Sequence, residues 1–177
     1  MSYELISSPE MPISVSALRD HCRIIGDDFD TQLTRSWYAS AYDIERRSGI
    51  LLRPCSVVES LRGLGALRGF VLSVGPVDVS TVLIKDSDGN ELTGWYVDPN
   101  VAEPTICFDD TGSFERGADY SITYNAGYSM IPHDLMIAAL ELTAHHFENR
   151  EATSAVSLKA VPSSVWSILE NYGRAKV

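Results

Sequence analysis

No stretch of this chain strings together the roughly 18 apolar residues of a membrane span, although 45% of its 177 residues are hydrophobic. Cysteine is scarce: Cys22, Cys55 and Cys107 are odd in number and far apart. That excludes a disulfide framework and a zinc-ligand pattern, and points to a reducing environment, with synthesis in the cytoplasm. The first residues, MSYELISSPEMP, lack the basic segment and apolar run of a signal peptide. Positive charge is also short. Fourteen Lys and Arg stand against 24 Asp and Glu, for a net charge of −10. Gripping nucleic acid by its phosphates needs the opposite sign, so non-specific DNA binding is disfavoured, although a small basic face can sit inside an acidic total.

Catalytic signatures are missing as well. There is no Gly-x-Ser-x-Gly elbow and no cysteine in a readable Cys-His context. The run RGLGALRG, Arg62 to Gly69, has glycines but neither the lysine nor the spacing of a phosphate loop, and reads as a flexible link between strands. Asp27-Asp28 and Asp109-Asp110 sit in cap and turn contexts, where Asp bonds locally to backbone. DSDGNE resembles part of a calcium loop but lacks the downstream bidentate Glu, so a hairpin turn accounts for it better.

The length suits one domain, with at most a small appended lobe. Residues 1–12 hold Pro9 and Pro12 and no periodicity, so they read as an extended lead-in. Ser14 or Ser16 caps a short helix to about Arg23, with Ala17, Leu18 and Cys22 inward. Asp27 or Asp28 then caps a longer helix to about Ser48. Its apolar face is Phe29, Leu33, Trp37, Ala41 and Ile44, with Tyr38, Tyr42 and Glu45 beside it. Gly49 is placed to end that helix in a left-handed cap.

From Ile50 the period changes to about six short runs rich in Val, Ile, Thr and aromatics, separated by Gly, Pro and Asp turns. Asp88-Gly89-Asn90 marks a hairpin and FDDTGSF a second turn. ADYSITYN alternates Tyr120, Ile122 and Tyr124 against Ser121, Thr123 and Asn125, a strand with one covered face. These runs predict a small antiparallel sheet or barrel-like module. Pro132 then opens a helix to about Arg150, where a missing N–H costs nothing. Leu135, Ala138, Ala139, Leu142 and His146 form one face; Met136, Leu140, Thr143 and Phe147 form the next. Apolar coverage this broad marks a central helix packed on two sides. A small-residue link follows, and then a short helix from about Pro162, with Val165, Trp166, Ile168, Leu169 and Tyr172 as its apolar set.

The fold class expected is α+β. Two N-terminal helices (13–49) and a central helix (132–151) form a helical core, with an inserted antiparallel β module (50–127) and a terminal arm (154–177) in one domain. The one cluster that invites chemistry is His133, His145 and His146 with Glu141 and Glu148. Glu141 and His145 share a face at the spacing a metal site uses. A zincin needs two His flanking a Glu at i and i+4, and a carboxylate bundle needs Glu-x-x-His on paired helices; neither is present. A small metal-dependent hydrolase on these histidines is the alternative reading, set against a solvated or interfacial helix face.

Four segments carry a family resemblance. They are SVSALRDHCRIIGDDFDTQLTRSWYASAYDIERRSGILLRP, GPVDVSTVLIKDSDGNEL, DYSITYNAGY and IPHDLMIAALELTAHHFENRE. In this order, over roughly residues 13–152, they resemble the head–tail connector (adaptor) proteins of long-tailed phages and of gene transfer agents. The resemblance implies a non-enzymatic structural protein of the phage neck that needs no cofactor, metal or membrane. It implies a ring, typically of about twelve copies, seated under the portal protein at the capsid vertex. DNA would pass through the ring's channel without specific binding, and a stopper or tail-terminator protein would join its far side; another kind of neck or tail-completion protein is the near alternative. It also implies that the terminal segment reaches the portal; Val165, Trp166, Leu169 and Tyr172 suit such an anchor, and the alternative is that this helix folds back on its own core. An acidic chain suits such a conduit, because a lumen that attracted phosphate would hold the genome back.

Overall fold

A computed structural model describes residues 2–6, 11–63, 69–98, 103–109, 112–149 and 163–172. The linker expected around 151–162 and most of the Arg62 to Gly69 run therefore lie outside the described residues. The fold is α+β, and the chain divides into two compact units. A β unit comprises residues 1–10 and 53–129; a helical unit comprises residues 11–52 and 130–177.

In the helical unit, α1 (Val15–Cys22) begins as its sequence predicts: the Ser14 hydroxyl accepts the Ala17 N–H at 3.2 Å. It ends with Arg23 in the left-handed region at φ 56°. There the N–H groups of Arg23 and Ile24 return to the carbonyls of Asp20 and Arg19. Helix α2 (Asp30–Ser48) starts later than expected. Neither Asp27 nor Asp28 is the cap; Phe29 is, with no side-chain hydrogen bond. The Phe29 ring instead meets Phe147 edge-on at 5.9 Å, an apolar contact that sets where the chain enters the helix.

Leu33, Trp37, Ala41 and Ile44 are buried along α2, as their spacing predicts. The buried hydroxyls of Ser40 and Ser48 donate to the carbonyls four residues back, so they cost no unmet hydrogen bond. Gly49 closes the helix at φ 70° and its N–H returns to the Glu45 carbonyl. Glu45, expected only beside the stripe, is buried and accepts the Leu52 N–H. Helix α3 (His133–Glu148) buries Leu135, Ala138, Ala139, Leu142 and Thr143, and packs on α1, α2 and the terminal helix α4 (Ser163–Tyr172).

Among the described residues, the strands of the β unit pair antiparallel in two sheets. One has the order β1 (Ser2–Leu5), β2 (Cys55–Arg62), β7 (Asp119–Ala126), β4 (Val77–Asp86); the other has the order β3 (Gly69–Val71), β6 (Thr105–Phe108), β5 (Trp95–Asp98). The start of the expected lead-in is thus an edge strand, too short and too exposed to show a period.

In β2 and β7 alternate residues turn inward: Cys55, Val57, Glu59 and Leu61 on one, Tyr120, Ile122, Tyr124 and Ala126 on the other. Phe114, fully buried, joins the sheets. Its ring lies 4.7 Å from Phe108, 4.8 Å from Tyr120 and 6.4 Å from Phe70. A bulge interrupts β4 between Asp78 and Leu83, where Thr81 donates to the Asp78 carbonyl and accepts the Asn125 N–H. The Asp88-Gly89-Asn90 turn forms, but its return limb is a single bridge, Lys85 to Glu91, rather than a strand. Asp86 explains the tight turn, since its carboxyl accepts from Asp88 N–H and from both the N–H and the side chain of Asn90. Those bonds, the Asn90 side chain first, hold Asp86 below the usual carboxyl range. Gly127 allows a backbone crossing: at φ 111°, a Cβ there would stand 2.0 Å from the Arg53 carbonyl oxygen.

Candidate functional site

The histidines of α3 face different neighbours. His146 reaches from α3 to α2, with Nε2 3.2 Å from Asp43 Oδ2 and both side chains 32% exposed. His145 stays local: the Asn149 side chain lies 3.3 Å from its Nδ1 and donates to its carbonyl at 2.8 Å. Both rings sit in the last turn of α3. His133 lies twelve residues earlier, about 18 Å along the axis. Glu141 accepts the Ser164 hydroxyl at 3.0 Å from α4. Among the described residues no three His, Cys, Asp or Glu side chains stand close enough to hold a metal ion. Burial, helped by the Glu148 carboxylate, pushes the Cys22 thiol up, away from a reactive thiolate.

Among the described residues no helix is long and apolar enough to cross a membrane.

The four residues assigned to portal contact lie on α4, and the structure seats them on this chain's own helices. Val165 and Leu169 are buried. The Arg47 guanidinium of α2 lies 4.3 Å from the centre of the Trp166 ring, a cation–π contact. The Tyr172 hydroxyl donates to Asp134 Oδ1 at 2.6 Å. That bond, ahead of the Leu135 N–H, holds the Asp134 carboxyl below its usual range. Four elements of chemistry thus secure one short helix: two buried aliphatics, a stacked cation, a phenol–carboxyl bond and the Ser164–Glu141 bond.

Sequence reasoning missed a polar cluster inside the β unit. Glu59 is buried, and its carboxyl accepts from the Tyr124 hydroxyl, from the Ser73 N–H at 2.7 Å and from the Ser73 hydroxyl at 3.1 Å. The signal was available. CSVVESLR alternates, and its inward row, Cys55, Val57, Glu59, Leu61, contains one acid that needs partners. The cluster ties β2, β7 and the segment after β3 together. With its acceptors occupied by structural donors, it reads as a fold-specifying network.

No family model matches the chain, and no curated protein matches it. Solved structures do. A chain in the neck of an empty gene transfer agent particle, computed with C6 symmetry, superposes with a TM-score of 0.80 at 24% identity, covering 100% of this chain and 97% of that one. A chain in the virion of a native gene transfer agent particle gives 0.79 at 24% identity, with the same coverage. A chain in the neck of a native particle, computed with C12 symmetry, gives 0.66 at 24% identity over 98% and 97% of the two chains. This chain thus has the fold of a protein of the gene transfer agent neck.

Proposed function

We propose that the chain is a non-enzymatic structural component of the neck of a phage or gene transfer agent particle. In this reading it is a head–tail connector. Copies form a ring under the portal protein, continue the DNA channel, and present a surface to a stopper or tail-terminator protein. The protein is made in the bacterial cytoplasm and resides in the particle neck. The observation that carries this reading is the shared fold over 100% of this chain and 97% of the neck chain. The net charge of −10 supports it, since a ring of such chains repels phosphate and leaves DNA free to slide.

The helical unit is the proposed ring body, and α4 is the proposed portal contact. Because Val165 and Leu169 are buried on this chain's own helices, contact through them requires α4 to leave its seat; Trp166 and Tyr172 would leave with it. Electron microscopy of particles made without this protein tests the main reading. Filled or empty capsids lacking tails are expected, and normally tailed particles would sink it. A chain truncated after Ser154 tests the arm. It is expected to remain folded and fail to join capsids; normal joining would remove α4 from the portal interface.

A further inference from the structure

Two surface features of the helical unit are complementary. The first is a stripe on α2. Arg35, Tyr38, Tyr42 and Arg46 are spaced three, four and four, so they share one face, and all four are exposed. Tyr42 is 64% exposed and Tyr38 41%. Thr31 and Ala39 complete the stripe; beside it, Asp43 turns to His146 and Glu45 is buried. Tyrosine and arginine are the residues that protein interfaces concentrate at their centres. A two-arginine face stands out on a chain of net charge −10.

The second feature is the loop between α1 and α2. Ile25 at its tip is 98% exposed. Exposed Asp20, Asp27 and Asp28 lie close to it in the chain and outnumber the exposed Arg23. The loop is held in shape. Arg23 takes the left-handed conformation, Gly26 has φ 87°, and the Arg19 guanidinium donates to the Gly26 carbonyl at 3.3 Å while pairing with Asp30 at 3.2 Å. An isoleucine presented on a fixed acidic loop is a preformed knob, so docking it costs little ordering entropy.

We infer that the acidic Ile25 loop of one copy docks on the Arg35–Tyr38–Tyr42–Arg46 stripe of the next copy. Ile25 packs between the two tyrosine rings, and Asp27 and Asp28 meet Arg35 and Arg46. Knob and stripe are different surfaces of one chain, so the contact is head-to-tail and propagates from copy to copy into a ring. Opposite charges set its register and speed its formation, and added salt weakens it. The inference rests on the ring reading above and names the face that makes the ring. Nucleic acid is the competing occupant of a basic stripe; the apolar knob on the same chain and the acidic total favour a second copy.

The test uses full-length protein, light scattering and electron microscopy. Ile25→Glu spoils the knob and spares the stripe; Tyr42→Glu does the reverse. Both positions are exposed, so unchanged melting curves will confirm folding. Wild type is expected to form rings and each variant to remain monomeric. A one-to-one mixture of the variants is expected to stop at dimers, because each pair retains a single intact contact. Reversing Asp27 and Asp28 to Lys should weaken assembly at least about tenfold, and combining it with Arg35→Glu and Arg46→Glu should restore part of the loss. Rings from both single variants would overturn this interface while leaving the ring reading standing. A wild type that stays monomeric at every concentration would overturn this interface and leave the neck reading to the particle experiment above. If Arg35→Glu with Arg46→Glu abolished duplex DNA binding but left rings intact, the stripe would belong to nucleic acid and the inference would be wrong.

Discussion

The two units hold themselves together by different means. The β unit turns its strongest groups inward: Phe114 is fully buried among Phe70, Phe108 and Tyr120, and Glu59 is closed within its own donors. The helical unit packs mainly aliphatic side chains around the buried Trp37 but leaves tyrosines, arginines and Ile25 outside, and it adds partly exposed contacts to the two buried aliphatics of α4. The difference teaches where change is tolerated. A core of interlocked rings has no spare geometry, whereas α4 rests on two buried aliphatics and a few partly exposed polar contacts, so fewer groups hold it in place.

The sharpest way to break this contrast is at the two cores. Phe114→Ala should cost about 3–5 kcal/mol and Leu142→Ala about 2–5 kcal/mol in denaturant unfolding. A near-zero loss at either position would mean that its surroundings are looser than described. Next comes the buried network. Tyr124→Phe removes one donor from the Glu59 carboxyl and should cost about 1–3 kcal/mol. A neutral result would show that water replaces the phenol, and that the cluster is less closed than its burial indicates.

The clasp of α4 should respond more weakly. Arg47→Ala is expected to lose about 0.5–1 kcal/mol of cation–π attraction, seen as reduced hydrogen-exchange protection of α4 and little change in the sheets. Equal loss of protection in both units would erase the distinction between them. The smallest effect concerns acid. Because the Tyr172 bond depresses the folded-state pKa of Asp134, its stabilisation is present above the ordinary carboxyl pKa. It is lost as pH falls through the depressed folded-state value, below about 4. Tyr172→Phe should flatten the acid dependence of α4 protection. An unchanged pH profile would remove the phenol–carboxyl bond from the clasp.

Much of the fold was legible because it follows from period. The Leu33–Trp37–Ala41–Ile44 stripe, the Gly49 cap, the Ser14 cap and the inward row of β7 are one-dimensional patterns with a single three-dimensional solution. What escaped depends on partners distant in sequence. Phe29 displaced the expected Asp cap because Phe147, 118 residues later, packs on it. Strand β1 is hidden because its only signature is pairing with residues near Ser60. At the candidate site, the apolar set of α4 was readable, but not its seat. Nothing near Trp166 announces Arg47, nor anything near Tyr172 the Asp134 carboxyl.

The order in which the pieces leave the ribosome gives the two-unit division a further meaning. Strand β1 emerges first, yet its partner β2 follows some fifty residues later, after both helices α1 and α2. Those helices in turn wait for α3, which follows β7, the last strand of the sheets. Each unit is therefore interrupted by the other along the chain, and neither can close on a half-made polypeptide. Long-range closure of this kind is slow and leaves unpaired edges exposed while it waits. A nascent chain halted before β7 would display the inward faces of β2 and α2 with nothing to cover them, making late truncations rather than early ones the aggregation-prone products of this sequence.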